Sequence, residues 1–387
     1  MTDEASPTPR ARARACCDNA VDFYWNKQFL PCGFATALLV GLSWPLPGRF
    51  LGDIELAGWS VMPSLMVVLI FVISGLKLKS DDVRAVLRAR RAIGWGLLAI
   101  LVVSPVLSFV PLNLAFVRPA ELRIGLTVFC TMPTTLSSGV ALVAQGGGNA
   151  ALALLLTVLT NLVAVFSVPF VLGLVLDAVD VAVSPAPMLA KLVCLILAPL
   201  VAGKVGREKS ARFAAFGARR KAEVNRANSV ALMAIVWFKV SQSAGHIRSI
   251  AAAQAAYVVL LGCALHCVLL ALNSAALAAL ALPKAEHRAV LIMASQKTLP
   301  MAVTVISLFP ASVGQQGLIL IPCIIGHLSQ LFIDAALVAR WLNQDAAAED
   351  EAAAPDDEAA AALADKEAKL GGEVELAIPA PAEPAEA

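Results

Sequence analysis

Two short polar stretches interrupt long apolar runs of the sequence, and their residue types are suited to binding ions and small polar ligands. The first, TMPTTLSSG, spans residues 131–139, and the second, SQKTLP, spans residues 295–300. Pro133 and Pro300 each remove a backbone N–H donor from a helix, so nearby carbonyl and amide groups lose their helical partners. Such groups are tolerated at membrane depth only beside protein or a water-filled cavity. The two stretches therefore predict a polar site within a membrane.

The composition is that of a chain that crosses a lipid bilayer many times. Of 387 residues, 59% are hydrophobic and only 15% are charged, and the mean hydropathy is +0.78. These values exclude an ordinary soluble domain, and a net charge of +2 gives no reason to expect a nucleic-acid partner. The apolar runs contain no HExxH motif, no GxSxG motif and no pair of acidic residues, so an enzyme is not predicted.

Ten apolar runs predict ten transmembrane helices in an all-α polytopic fold, because each is long enough to cross the hydrocarbon core. The runs lie near residues 29–47, 56–76, 92–113, 122–145, 149–176, 186–205, 228–245, 249–282, 288–309 and 314–341. They define one membrane domain, residues 28–342. A polar tail, residues 1–27, precedes it, and a disordered tail rich in Ala, Glu and Pro, residues 343–387, follows it.

The distribution of positive charge supports an even number of spans. Lys and Arg collect in the connection at 77–91 and in the connection at 204–226. With ten spans, both basic connections and both termini share one side of the membrane, as basic residues near spans normally do.

The polar stretches occupy corresponding places in the two halves of the chain. Five plus five helices put one stretch in the fourth helix and the other in the ninth. Paired broken helices in matching halves indicate the binding site of a transporter built from two inverted repeats. A proline kink repaired by Ser or Thr remains the alternative for either helix taken alone.

Three motifs in order along residues 25–342 resemble the bile acid:sodium symporter superfamily. They are FVISGLKLKSDDV after the second run, TMPTTLSSGVALVAQGGGNAALALLLTVLTNLV across the fourth and fifth, and SQKTLPMAV in the ninth. The branch that they resemble contains the plant plastid sodium/metabolite cotransporters and the solute carrier ten, member seven group. The resemblance implies two inverted five-helix repeats, a core domain and a panel domain, and broken helices 4 and 9 that cross. Substrate would lie between the two domains, which would move to alternate access.

The resemblance also implies a sodium site, although the sequence departs from the family pattern there. It implies an unwound segment over residues 134–139 and sodium ligands at Ser138, Thr157 and Gln296. The carboxylate that bridges two sodium sites in bile-acid-type members falls on Ile292. Two other positions differ as well: an expected asparagine falls on Gly139 and an expected serine near Ala153. Because neutral oxygens alone hold Na⁺ poorly in a low dielectric, we expect weak sodium coupling.

Lys297 places a cation beside this site, and we interpret it as a tethered positive charge that replaces a bound sodium ion. It would hold an anionic substrate or exchange its proton during coupling; the alternative is a lysine that extends to the membrane surface. The candidate substrate-binding residues are Thr134, Thr135, Ser137, Ser138, Asn161, Gln296, Lys297, Thr298 and His327. Lys239, in the seventh run, either reaches the same cavity from the panel side or extends outward.

The sequence thus predicts a secondary active transporter for a small organic anion, embedded in the lipid bilayer of a plastid envelope. Sodium is the coupling ion that the resemblance implies, and no other cofactor is predicted. The alternative function is a membrane regulator or scaffold of ion homeostasis that has this fold but does not transport. Substrate identity and oligomeric state are not predicted.

Overall fold

The computed structural model of the chain describes residues 29–56, 59–77, 88–135, 138–178, 181 and 184–353. The predicted N-terminal tail, residues 1–27, lies outside the described residues, as does the predicted C-terminal tail beyond residue 353.

The described chain is almost entirely helical. Its first eight helices are α1 (Phe29–Ser43), α2 (Pro45–Gly52), α3 (Val61–Lys77), α4 (Arg90–Leu112), α5 (Ala120–Thr131), α6 (Ser138–Gln145), α7 (Ala150–Asp177) and α8 (Pro185–Lys209). The remaining helices are α9 (Ala211–Arg219), α10 (Lys221–Gln242), α11 (Ala244–Arg248), α12 (Ala252–Leu280), α13 (Lys284–Ser295), α14 (Leu299–Ser307) and α15 (Gln316–Ala353). Between α2 and α3, strands β1 (Glu55–Leu56) and β2 (Trp59–Ser60) form an antiparallel pair.

Among the described residues, six helical segments are long and apolar enough to cross a membrane: α4, α7, α8, α12, the interrupted pair α13–α14, and Gln316–Glu349 within α15. Two shorter apolar helices, Cys32–Ser43 and Val61–Lys77, accompany them. The chain is therefore a multi-pass membrane protein. Each of the ten predicted apolar runs overlaps a helix or an interrupted pair of helices.

The interrupted pair α13–α14 is surrounded by protein. Every residue from Arg288 to Ile306 is buried, whereas only 22% of the apolar window of α12 is buried. A helix that is buried on all sides has no face for lipid. The second polar stretch therefore lies in the interior of the helical bundle.

The helices pack as two groups that meet around this centre. In one group, α10 packs against α1, α2 and α3, and α3 packs along α8. Gly75 and Gly203 lie where α3 and α8 approach most closely, because a Cβ at either residue would collide with the backbone of the other helix. In the other group, α13 packs against α4, α6, α7 and α12.

The basic connection predicted at 204–226 is helical rather than irregular. Helix α8 continues to Lys209, α9 follows, and α10 begins at Lys221. The Ser210 hydroxyl accepts a hydrogen bond from the Phe213 N–H (3.3 Å) and so caps α9. Alanine and arginine, which dominate this segment, favour helix even where the chain leaves the apolar run.

The last helix, α15, also continues past the predicted end of the tenth run at residue 341. It ends at Ala353, within the segment that was predicted to be disordered. Its final residues are mainly Ala, Asp and Glu, and the alanines favour helix. Residues up to Val338 form one compact unit and residues from Ala339 a second.

Candidate functional site

The two helix interruptions contact each other. We call residues 132–135, which follow α5, the first break, and Gln296–Thr298, between α13 and α14, the second break. The Thr298 N–H donates to the Pro133 carbonyl (2.9 Å), and the Thr135 hydroxyl donates to Gln296 Oε1 (2.7 Å). One backbone and one side-chain hydrogen bond thus join the two breaks. Of the predicted site residues, Ser137 lies outside the described residues.

Gly139, which stands where an asparagine was expected, permits this close approach. A Cβ at that position would lie 2.7 Å from Gln296 Oε1 and would also overlap the Thr135 hydroxyl. The Gly139 N–H donates to that hydroxyl (3.0 Å). Ser138, a predicted sodium ligand, precedes Gly139 and is half-buried. A larger residue at 139 would push the breaks apart.

Helix α7 supplies hydrogen bonds to the exposed backbone of the first break. The Asn161 amide donates to the Thr134 carbonyl (3.0 Å), and the Thr157 hydroxyl donates to the Thr135 carbonyl (3.1 Å). These residues are one helical turn apart and lie on the same face of α7. The structure therefore brings Thr157 and Asn161 to the site, as the sequence indicated.

Helix α15 does the same for the second break. The Gln330 side chain accepts from the Lys297 N–H (2.8 Å) and donates to the Lys297 carbonyl (2.8 Å). His327 Nδ1 lies 3.3 Å from the same carbonyl. Each broken helix thus receives hydrogen bonds to its exposed backbone from the next long helix in the chain. That helix is α7 for the first break and α15 for the second.

The site contains a carboxylate that the sequence analysis missed. Gln296 Nε2 donates to Asp334 Oδ2 (2.6 Å), and His266 Nε2 lies 2.8 Å from Asp334 Oδ1. The carboxylate that the family pattern puts at position 292 is replaced by Ile292, but Asp334 places a different carboxylate beside Gln296. An aspartate inside the tenth apolar run was the available signal, since an ionisable residue at membrane depth is by default a candidate for function. A pattern of paired acidic residues does not include a single aspartate such as Asp334.

His266 compensates the charge of this carboxylate. Its other ring nitrogen, Nδ1, lies 3.2 Å from the Ser295 carbonyl, which can only accept, so Nδ1 carries a proton. The His266–Asp334 contact then holds one further proton, either on Nε2 or on Oδ1. In both cases the pair carries no net charge.

Five buried polar atoms around the breaks have no hydrogen-bond partner in the described part of the chain. They are Thr134 Oγ1, Thr160 Oγ1, Asn161 Oδ1, Lys297 Nζ and Thr298 Oγ1. An unpartnered buried polar group costs about 1–3 kcal/mol, and a charged group costs more. Such a concentration of unpartnered atoms indicates a place for a polar ligand.

Lys297 is the extreme case among these atoms. Its side chain is 1% exposed, so it does not reach a membrane surface, and the alternative of an outward-extending lysine is wrong. The cation lies one residue from Gln296, inside the buried junction of the two breaks.

A cavity of about 570 Å³ lies between α3, α8, α10, α14 and the segment that precedes α15. Thr304 and Ser307, at the end of α14, contribute to its wall, but Gln296 and Lys297 do not. Gln296 is completely buried. In this conformation the junction is closed to the cavity.

Comparison with known proteins identifies the family of this chain. A model of the SBF-like CPA transporter family matches residues 28–343. The probable sodium/metabolite cotransporter BASS4, chloroplastic, of Oryza sativa subsp. indica is 34% identical over 350 residues, which cover 88% of this chain and 81% of the rice protein. Its Arabidopsis thaliana namesake is 35% identical over 327 residues, 82% of this chain and 73% of that protein.

A bacterial relative is more distant. The putative symporter YfeH of Escherichia coli K12 is 24% identical over 316 residues, which cover 80% of this chain and 91% of the bacterial protein. All three relatives are named as transporters rather than enzymes. The family match spans the whole interrupted-helix core, and the chain therefore belongs to the SBF-like CPA transporter family, as its resemblance to the bile acid:sodium symporters predicted.

Proposed function

We propose that this protein is a secondary active transporter that carries a small organic anion across a membrane by alternating access. The observation that carries the proposal is the junction of the two breaks, with its unpartnered buried atoms and its unpaired ammonium among the described residues. Broken helices that expose backbone groups at membrane depth are the usual substrate and ion sites of secondary transporters.

The proposed architecture is the ten-helix inverted repeat, contained in residues 28–342. Its support is the equivalent use of α7 and α15, each of which binds the break that precedes it. The proposed panel is the group of α1, α3, α8 and α10, and the proposed core contains both breaks. Movement of the core against the panel would open the junction to one side and then to the other.

In this proposal Lys297 binds the substrate's acidic group. Asp334 does not neutralise it, because Asp334 already pairs with His266. A buried cation without a partner is strongly destabilising, so retaining one requires a compensating ligand during the working cycle. An anionic substrate is such a ligand.

Sodium is proposed as a weakly bound co-substrate at the first break. Thr134 Oγ1 and Asn161 Oδ1 are buried oxygens without partners in the described part of the chain, and Thr157 lies beside them. Oxygen atoms suit a hard cation, but the affinity of such a site depends on the number of charged ligands. Because the Asp334 charge is taken up by His266, we expect one sodium ion of low affinity.

The proposed membrane is the plastid envelope, because the rice and Arabidopsis relatives are named chloroplastic. The proposed orientation puts the basic segments 77–91 and 204–226 on one side. Single cysteines placed in these segments should be labelled from the same side of sealed vesicles. Labelling from opposite sides would refute the ten-span count.

Uptake into proteoliposomes tests the proposed activity. Labelled carboxylates and sulfonates are supplied under an imposed sodium gradient and, separately, without one. We expect saturable uptake of an anion that sodium stimulates modestly. Absence of uptake for every anion, with folded protein in the vesicles, would contradict the proposal.

The closed junction, considered alone, favours a second candidate function. In this alternative the protein is a regulator of ion homeostasis that has this fold and does not transport. The two candidates differ in whether the junction opens. Residue 304 lies on α14, which follows the second break, and lines the cavity. The labelling rate of a cysteine at this position measures how accessible that part of the cavity is. If substrate and sodium never change its labelling rate, the non-transporting function is favoured.

A further inference from the structure

Helix α9 lies at one end of the helical bundle, between the spanning helix α8 and helix α10. It packs against both of them and against α3. The Arg207 guanidinium, in the last turn of α8, donates to the Leu76 carbonyl at the carboxyl end of α3 (2.7 Å). Because α3 and α8 are apolar up to about these residues, α9 lies at the level where the hydrocarbon core gives way to lipid headgroups.

One face of α9 is fixed against the protein. Phe213 lies against Gly206 of α8, since a Cβ at Gly206 would be 3.1 Å from the Phe213 ring. Gly217 lies against Leu76 of α3 in the same way, because a Cβ there would be 3.1 Å from the leucine side chain. The Ser210 hydroxyl caps the start of the helix. A helix of nine residues is too short to be stable by itself in water, so these contacts hold α9 in one orientation.

The opposite face of α9 presents an aromatic ring between two arginines. Arg212, Phe216 and Arg219 are spaced i, i+4 and i+7, and they therefore form one stripe along the helix. Phe216 is 49% exposed, and both arginines are exposed. Neither arginine forms an ion pair with another described residue. We call these three residues the α9 stripe.

The surroundings of the α9 stripe carry an excess of positive charge after their acidic residues are counted. Residues 204–226 contain eight basic and two acidic residues. The two acidic residues lie beside other cations of the segment, Glu208 with Lys204 (3.6 Å) and Glu223 with Arg220 (3.1 Å). Residues 77–91, which begin at the end of α3, contain six basic and two acidic residues. This end of the bundle therefore attracts anions.

We propose that the α9 stripe binds anionic phospholipid headgroups of the leaflet at this end of the bundle. The Phe216 ring enters the boundary between headgroups and acyl chains, and the guanidinium groups on either side of it donate to phosphate oxygens. A headgroup layer accommodates an exposed ring and two cations together, whereas water solvates only the cations. The proposal depends on membrane insertion and not on transport.

Lipid titration of the full-length protein, followed by native mass spectrometry, tests the proposal. The purified protein in detergent receives dioleoyl phosphatidylglycerol or dioleoyl phosphatidylcholine, and the lipid-bound fraction gives an apparent Kd for each lipid. The two lipids have the same acyl chains, and only phosphatidylglycerol has a net negative charge. We expect phosphatidylglycerol to bind about tenfold more tightly. Equal Kd values would overturn the proposal.

Removal of single charges locates the binding surface. Arg212→Gln and Arg219→Gln should each lower the preference for phosphatidylglycerol about fivefold. Arg49→Gln is the matched control, because it removes the same charge from an exposed residue at the other end of α10. Its neighbour Gly48 lies against Ser241, about 30 Å along α10 from the end that α9 contacts. If the α9 variants keep the preference as fully as Arg49→Gln, the proposal is wrong.

Two further measurements distinguish a lipid from a soluble anion. Phe216→Ser should weaken the binding of both lipids equally, because the ring contacts the region that they share, and Arg212→Lys should retain most of the preference. Inorganic phosphate in large excess should not displace phosphatidylglycerol. Displacement by phosphate, or Phe216→Ser without effect on either lipid, would overturn the proposal. Unfolding midpoints of all variants are measured on the same preparations and should match that of the unmodified protein, since each changed residue is exposed.

Discussion

At both helix breaks, side chains of a neighbouring helix form the hydrogen bonds that the exposed backbone lacks, but the two breaks differ in charge. At the first break, Asn161 and Thr157 bind the freed carbonyl groups, and at the second break Gln330 binds both the N–H and the carbonyl of Lys297. Among the described residues, the atoms left without partners at the first break are neutral oxygens. At the second break they include an ammonium.

The difference shows how one structural device can serve two ligands. Neutral oxygens are ligands for a hard cation, and a buried ammonium is a ligand for an anion. The Gln296 side chain connects the two breaks, because it contacts Thr135 on one side and Asp334 on the other. Ligand binding at either break would therefore alter the other through a single amide.

The largest expected effect comes from removing the charge at the second break. Lys297→Met should reduce uptake to about one hundredth or less, because the anionic substrate loses its counter-charge, while the protein stays folded because a desolvated cation is removed. Uptake and thermal unfolding are measured on the same preparation. Lys209→Met, which removes the same charge at an exposed residue at the end of α8, is the control and should retain most uptake. Normal uptake by Lys297→Met would show that the charge difference has no function.

A second prediction concerns the stability of the two breaks. Gln330→Leu leaves the buried Lys297 N–H without its partner and should destabilise the protein by about 2 kcal/mol. Asn161→Leu removes the hydrogen bond to the Thr134 carbonyl, and it should cost about 1 kcal/mol because a carbonyl without a partner is tolerated better than an N–H without one. Denaturation of the purified variants in detergent gives the difference. Equal losses would mean that the breaks do not differ in how their backbone is held.

A third prediction adds charge to the first break. Asn161→Asp places a carboxylate among the neutral oxygens proposed to bind sodium, and the half-saturating sodium concentration for uptake should fall about tenfold. Asn161→Gln retains the amide and serves as the control. If sodium dependence is unchanged in the Asp variant, sodium does not bind at this break.

The smallest expected effect is the coupling between the breaks. Thr135→Val, Gln296→Leu and the double variant form a thermodynamic cycle, and we expect a coupling energy of about 1 kcal/mol from the Thr135–Gln296 hydrogen bond. Unfolding free energies of the four proteins provide it. A value near zero would indicate that each break is stabilised independently.

The helical elements and the positions of both breaks could be predicted because their causes are local. Proline removes a donor wherever it stands, and the apolar runs have the length that a bilayer requires. The sequence pattern was less informative in charged segments outside the apolar runs, where the charges suggest a loop or tail but the alanines favour a helix. The segments 204–226 and 343–353 are helical for that reason.

The charge balance of the site depended on contacts between residues far apart in the chain. Asp334 and His266 are 68 residues apart and lie in two different apolar runs. Their contact neutralises the one carboxylate near Gln296 in the described part of the chain. No spacing rule within a single helix relates two residues on different helices.

The sequence by itself determined the class of protein, the two broken helices and the presence of a cation beside one of them, since composition and proline chemistry act within a short length of chain. Only the tertiary structure decided which charges have partners. Among the described residues, Asp334 pairs with His266, and Lys297 Nζ has no partner. The Lys239 side chain lines the cavity and donates to Gln316. The reason is physical. The effect of a charge depends on burial and on neighbours within a few ångströms, and in a helical bundle those neighbours come from other helices.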